Sequence, residues 1–535
     1  MIDEKLHEHI PGEEKFVETE KEKKKVDVWR YKPYICKVKE IDIFTGKRII
    51  VLNHDEAKEH DIYSGFRALL KHRNKKLVVI VDVSEELVKE GEVGLFRDVV
   101  KELKMKKGEK VEIIHMERPA SVDYIKKKLD KGVLNREQVA TIVDEIMAGK
   151  LSEIETSAWI SAAYINGLSD DEIISLTDAT VESGEQLVLK KSPITDKHCI
   201  GGVAGNRTTM VIVPIVAAAG LYIPKTSSRA ITSASGTADT MEVLADVNFR
   251  IDELKSIVTK AKGAIVWGGG MKLAPVDDKL IRVRHPLKLD PEGMLLASIL
   301  AKKKSVGAQH LIIDIPVGRS AKITDMDGAH KLARHFIKIG KDLGMNVEAL
   351  ITDGSEPVGN GIGPGLECRD VLEVLEGRGP EDLRHKSCLM AGKIFELCGK
   401  ANKGEGYSAA ENLVDTGKAL SSMKKIIELQ GGDSKITSRN VPIGHYSYDV
   451  EADRSGKIFH IDNKAIAKIA RIAGAPKDKG AGVYLYRIRG DRVEKGDKLF
   501  TIFADSEAKL SFAIKAMEHL ETVEMRRMLL DTLRE

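Results

Sequence analysis

Residues 196–209 read D-K-H-C-I-G-G-V-A-G-N-R-T-T, and after the apolar run Met210 to Leu221 residues 222–242 read Y-I-P-K-T-S-S-R-A-I-T-S-A-S-G-T-A-D-T-M-E. Two loops rich in Gly, Ser and Thr therefore flank one apolar segment. In the first, Gly201, Gly202 and Gly205 leave backbone amides bare, while Lys197 and His198 add a cation and a hydrogen-bonding ring. Thr208 and Thr209 open a helix, whose free N-terminal amides and dipole favour an anion. The second loop follows a short strand, Tyr222 to Thr226, and leads into another helix near Thr240. It carries Arg229 and six hydroxyls: Ser227, Ser228, Thr232, Ser233, Ser235 and Thr237. A single such loop is explained by a tight turn using glycine for backbone freedom. Two of them on one sheet edge predict a substrate with one phosphate or two.

Around this stretch the pattern is α/β. Short apolar runs at Ala264 to Trp267, His310 to Ile315 and Val347 to Thr352 suit buried strands. They alternate with helical segments near Ala329 to Leu343 and Arg369 to Leu375, which predicts a mainly parallel sheet. Upstream, Asn135-x-x-Gln138, Ser152-x-x-Glu155 and Ser169-x-x-Glu172 each have the form of a capping box, so this part is helical. Ile154, Ala158, Ile160 and Ala162 suit a helix packed inside a bundle. Before it, I-C-K-V-K-E-I, R-I-I-V-L, K-L-V-V-I-V-D-V and K-V-E-I-I-H read as strands, with a helix from Leu95 to Leu103 between them. V-Y-L-Y-R-I and L-F-T-I-F-A, followed by a final helix, give an α+β end. The expected division is a charged extension (1–33), a β-rich domain (34–118), a small helical domain (119–192, completed by about 277–306), a large α/β phosphate-binding domain (193–439) and a C-terminal α+β subdomain (440–535). The β-rich domain carries no catalytic cluster and reads as a docking or assembly module.

Charge bounds the partners. Lys plus Arg number 85 against 82 Asp plus Glu, a net charge of +3, so nothing predicts a nucleic-acid partner. Five scattered cysteines (Cys36, Cys199, Cys368, Cys388, Cys398) show neither metal-ligand spacing nor a disulfide framework, which suggests a reducing cytoplasm. The longest apolar stretch, Met210 to Pro224, is too short to span a bilayer. Asp3, Glu4 and Glu8 stand where a signal peptide would be apolar.

The string S-R-A-I-T-S-A-S-G-T-A-D-T-M-E (228–242) resembles the signature of the thymidine and pyrimidine-nucleoside phosphorylases, and K-H-C-I-G-G resembles their phosphate loop. S-I-L-A-K (298–302), D-I-P-V-G-R-S-A-K (314–322) and E-C-R-D-V-L-E-V-L (367–375) extend the likeness over roughly residues 120–525. Within that family the chain looks most like the archaeal AMP phosphorylases, which carry an extra N-terminal domain. The resemblance implies that Lys197, Gly202, Ser228, Arg229, Ala230, Ile231, Thr232, Ser233 and Thr237 hold the phosphates. It places the active site in a cleft between helical and α/β domains, and it implies a homo-oligomer, dimeric or larger. Cys199 and Ile200 stand where nucleoside phosphorylases have hydroxyl residues, and a thiol is a poor phosphate donor.

Asp290, in K-L-D-P-E-G-M, matches the proton donor of the AMP phosphorylases. An aspartate works as an acid near neutrality only where burial or neighbouring negative charge raises its pKa, and a phosphate-rich cleft offers both. A helix N-cap before Pro291 and Glu292 is the competing account. Ser298 and Lys302 lie one helical turn apart and share a face, with solvated charge the alternative for Lys302; Arg284 and His285 are candidates to touch the base. Where nucleoside phosphorylases end the V-G loop with small or apolar residues, this chain places Arg319 and Lys322, cations suited to a 5′-phosphate. The expected reaction is phosphorolysis of AMP, with CMP and UMP as further substrates, to free base and ribose 1,5-bisphosphate. Inorganic phosphate is the co-substrate, with no metal or other cofactor. A nucleoside phosphorylase and a non-catalytic nucleotide-binding protein remain the alternatives.

Overall fold

Strands that present no polar face have to be covered on both sides, and five of them form the central sheet here. A computed structural model describes residues 34–116, 118–230 and 233–526. The extension 1–33 lies outside the described residues, as do Ile231 and Thr232 of the second loop. Contacts divide the chain into two units, one holding residues up to Tyr124 with Glu145–Thr156, the other Ile125–Asp144 and Ser157 onward.

The first unit contains a closed barrel of six strands: Tyr34–Ile41 (β1), Ile49–Asn53 (β2), Arg67–His72 (β3), Lys75–Ser84 (β4), Glu92–Phe96 (β5) and Lys110–His115 (β6). Their order is β1-β5-β2-β4-β3-β6, around a core that includes Ile50, Leu70, Val81, Leu95 and Ile113. The sequence reading missed β3 and β5. It also began the helix two residues early: Leu95 and Phe96 pair in β5, and the helix is Arg97–Leu103. Leu95 is buried in the barrel core, and burial there outweighs its helix propensity. Within this unit Arg67 ion-pairs with Glu155, and Lys47 Nζ lies 2.8 Å from Glu153.

All three capping boxes form. Gln138 N donates to Asn135 Oδ1 and Asn135 N to Gln138 Oε1, Ser152 and Glu155 exchange bonds in the same way, and so do Ser169 and Glu172. The face assigned to Glu153–Asn166 needs correction. Ile154 is 81% exposed, whereas Thr156, Trp159, Ile160, Ala162 and Ala163 are buried, so the apolar stripe starts later and follows i, i+3, i+4, i+7. In the second unit, Lys128 and Glu172 form a buried pair at 2.7 Å.

The second unit's sheet is parallel throughout. Thr195–Cys199 (β7), Ile223–Ser227 (β8), Gly263–Trp267 (β9), His310–Val317 (β10) and Asn346–Asp353 (β11) run β11-β10-β7 and β8-β9. A parallel bridge from Ile194 to Tyr222 joins the two parts. The helix Thr208–Ala218 is apolar all round and buried from Thr208 to Ala217, against helices Glu381–Leu397 and Lys418–Leu429.

Gly361–Ile362 (β12) precedes the C-terminal strands, which are Tyr446–Glu451 (β13), Gly456–Ile461 (β14), Gly482–Leu485 (β15), Arg492–Val493 (β16), Lys498–Ala504 (β17) and Val523–Met525 (β18). They form one sheet ordered β12-β15-β17-β13 and a second ordered β16-β14-β18. Helices Asn463–Ile472 and Glu507–Met517 pack on them. The fold class is thus a helical domain and a parallel α/β domain, with a β-rich N-terminal domain and an α+β end.

Candidate active site

The ends of β7, β8 and β10 converge on a cleft of about 1590 Å³. This is the carboxyl edge of a parallel sheet, where α/β folds bind ligands. β7 runs into Gly201 at φ 92°, Gly202 at φ 94° and Gly205 at φ 68°, conformations that strain any residue with a Cβ. A Cβ on Gly202 would also collide with Lys322 N, and one on Gly205 with the Val358 carbonyl. The amides of Gly202 and Val203 line the cleft with no hydrogen-bond partner among the described residues.

Beneath this loop lies a buried charge network that the sequence reading missed. Lys303 Nζ donates to Asp196 Oδ2 at 2.7 Å, and Lys225 Nζ donates to Lys197 O at 2.5 Å and lies 3.4 Å from Asp196. Lys197 and Lys386 stand 3.4 and 3.7 Å from Asp314. Burial alone would raise the Asp314 carboxyl, but the two lysines outweigh it and hold it below the usual range. Four lysines against two aspartates leave surplus positive charge under the loop. Burial pushes Lys225 down to about 7, and burial with four nearby lysines holds His198 well below its ordinary value. The sequence did carry a signal for this network: charges inside otherwise apolar strands, as in I-P-K-T-S and L-I-I-D-I.

Lys197 was expected to hold phosphate, but it faces inward. It is 1% exposed, and its Nζ donates to Thr208 Oγ1 at 2.9 Å; of β7 only His198 and Cys199 line the cleft. Cys199 accepts weakly from Gly201 N, and burial lifts its thiol to about 11.

In the second loop, Ser228, Arg229, Ser233 and Thr237 line the cleft, but several of their groups are engaged. Arg229 is bound by Glu242 at 2.7 and 2.5 Å and by Asp239 at 3.2 Å, and lies 5.0 Å from the Trp267 ring centre. The Glu242 hydrogen bonds lift the Arg229 pKa further above its ordinary value, so this fork is committed within the protein. Ala230 N donates to Asp239 Oδ2, and Arg207 donates to Thr237 Oγ1 and ion-pairs with the buried Glu367. Ser233 Oγ donates to Ser235 O.

Asp290 caps no helix. Pro291 occupies the N-cap of Glu292–Ser305, and the Asp290 carboxylate instead meets Arg284 Nη1 at 3.0 Å and Lys322 Nζ at 2.5 Å. Tertiary contacts with two cations have won over local capping. Ser298 Oγ and Lys302 Nζ both donate to the buried Asp277 Oδ2, at 2.8 and 2.5 Å, so the shared face is real and Lys302 is not solvated charge. The adjacent Asp278 lines the cleft and stays exposed to it, and partial desolvation by the surrounding walls raises its carboxyl, which makes it a second candidate acid that the sequence reading did not single out. His285 is exposed, and neither it nor Arg284 nor Asp290 lines the cleft. Arg319 turns to Glu524 at 2.7 Å and does not line the cleft, whereas Lys322 does. Among the described residues no cluster of His, Cys, Asp and Glu suits a metal ion, and no helix is long and apolar enough to cross a membrane.

One wall comes from the C-terminal part, through Asn463, Lys464, Ala467, Lys468 and Arg471. The sequence reading gave this helix no role. Its signal was the spacing of Lys464, Lys468 and Arg471 on one face of N-K-A-I-A-K-I-A-R-I.

Comparisons with known proteins agree with this architecture. The pattern of the glycosyl transferase family helical bundle domain matches residues 122–184, and that of its a/b domain matches 191–420. The pyrimidine nucleoside phosphorylase C-terminal domain matches 457–523. A protein of Methanosarcina barkeri named AMP phosphorylase is 45% identical over 495 residues, covering 92% of this chain and 97% of that protein. Those of Thermococcus kodakarensis and Pyrococcus furiosus, named likewise, are each 45% identical, covering 92% and 93% of this chain and 98% and 99% of theirs. Anthranilate phosphoribosyltransferase from Thermus thermophilus aligns with a TM-score of 0.49 at 18% identity, over 58% of this chain and 99% of that one. On the 45% identity to the archaeal proteins over nearly its whole length, with cleft, glycine loop and domain order in place, the chain belongs to the AMP phosphorylase family.

Proposed function

We propose that this chain cleaves the N-glycosidic bond of AMP with inorganic phosphate, giving adenine and ribose 1,5-bisphosphate. CMP and UMP are further substrates in this reading. The observation that carries it is the glycine loop at the floor of the cleft with Lys322 lining the same volume and paired to Asp290, so that an anion site and a carboxyl group are one lysine apart. In the reaction a phosphate oxygen forms the bond to C1′ as the bond to the base nitrogen breaks. Both electrons of that bond leave with the base, which takes a proton from Asp290; the carboxylate is reprotonated before the next turnover. The free amides of Gly202 and Val203 and the lysine surplus beneath them support placing the attacking phosphate there. Ser298 and Lys302, locked by Asp277, suit contacts to the base or ribose.

No metal or organic cofactor has a part in this chemistry. The family assignment supports a homo-oligomer of two or more copies acting in the cytoplasm. Incubating the protein with AMP or thymidine, with and without phosphate, tests the reading by chromatography of the released base. Adenine release that depends on phosphate is expected. Thymine release without adenine release would favour a nucleoside phosphorylase, and no release from either would favour a binding protein.

A further inference from the structure

We propose that the helix Asn463–Ile472 binds the 5′-phosphate of the nucleotide, through Lys464, Lys468 and Arg471. The inference rests on the reading that a nucleoside 5′-monophosphate is the substrate, and it names the groups that would distinguish it from a nucleoside. Each phosphate carries about −1.5 to −2 near neutral pH, so two of them in one cleft bring about −3 to −4. Apart from Lys288, which has no carboxylate partner among the described residues, the cleft's other lysines and arginines are committed. Arg229 is held by Glu242 and Asp239, Lys302 by Asp277, Lys322 by Asp290, and Lys225 and Lys303 by Asp196. Arg319, the cation expected from sequence beside Lys322, faces Glu524 instead. Lys464, Lys468 and Arg471 line the same cleft, are exposed, and have no carboxylate partner among the described residues.

Their placement is fixed. Ile466, Ile469 and Ala470 on the opposite face are buried in the C-terminal core. Asn463, 2% exposed, accepts from Ala204 N at 2.9 Å in the glycine loop and donates to Ser320 Oγ at 3.2 Å and Gly354 O at 3.1 Å. One side chain therefore ties the helix to both the glycine loop and the loop that carries Lys322. Asp462 caps the helix by accepting from Ala465 N at 2.7 Å, so the anion-binding capacity lies in the three side chains.

The test is steady-state kinetics of Lys468→Gln/Arg471→Gln beside Lys468→Arg/Arg471→Lys, with AMP and phosphate varied separately. Loss of charge-assisted contacts to phosphate should raise KM for AMP about ten- to a hundredfold. KM for phosphate and kcat should stay near wild type, and the charge-conserving variant should regain most of the loss. An unchanged KM for AMP, an equal rise in both KM values, or a fall in kcat alone would overturn the inference. Wild-type enzyme that released no base from AMP would overturn the substrate reading and this inference with it, whereas normal wild-type turnover with an unresponsive variant would overturn this inference only.

Discussion

Asp290 is where chemistry and electrostatics meet most directly. It has no role as a cap, and its carboxylate pairs with Arg284 and Lys322. Asp290→Asn should cut turnover on AMP by about 10²-fold or more while AMP binding survives, measured by single-turnover kinetics and calorimetry. Near-normal turnover would move the acid role to Asp278, which lines the cleft. A second residue-scale prediction concerns acid stability. The Arg229 hydrogen bonds, with Lys479, hold Glu242 down at about 2, below its ordinary 4.5. A depressed carboxyl stabilises the fold above its unfolded value and loses that contribution as pH falls through the folded one. The Glu242 contribution should therefore be present above pH 4.5 and fade toward 2. Glu242→Gln should flatten the melting temperature against pH across the upper part of that window. An unchanged slope would mean that the Arg229–Glu242 pair adds nothing to stability.

Among elements, the glycine loop is the most constrained. Gly202→Ala places a Cβ at φ 94° against Lys322 N, and strain of this kind is worth about 1–3 kcal/mol. Since the strain falls on the loop itself, kcat/KM should drop about tenfold or more, with the far-ultraviolet spectrum unchanged. A variant with normal kinetics would show that the loop shape is not needed. This loop was legible in the sequence because three glycines near a strand end have few other uses. Strands β8 to β11 were legible to within two residues at each end, because their apolar runs carry the signal themselves. Other features depend on partners distant in the chain. Arg229 reads as a phosphate ligand until Glu242, thirteen residues on, is seen to take its fork. The helix Asn463–Ile472 reads as an ordinary amphipathic surface helix, and its bond to Ala204 spans 259 residues. β3 and β5 were missed because barrel closure, more than local alternation, makes them strands.

At the scale of the molecule, the N-terminal barrel has its own apolar core and closed hydrogen bonding, which suits it to assembly more than to chemistry. Deleting residues 1–116 should shrink the particle seen by light scattering and leave measurable phosphorolysis; an unchanged particle would reject the assembly role. The central claim is that the catalytic unit transfers the ribosyl group of a nucleotide to phosphate and not to water. Phosphorus NMR of AMP incubated with the enzyme and inorganic phosphate tests it most directly. The account predicts that inorganic phosphate is consumed one for one with AMP, giving a sugar with two phosphate resonances of equal intensity beside free adenine. Ribose 5-phosphate with inorganic phosphate unchanged, or an intact AMP signal, would contradict it.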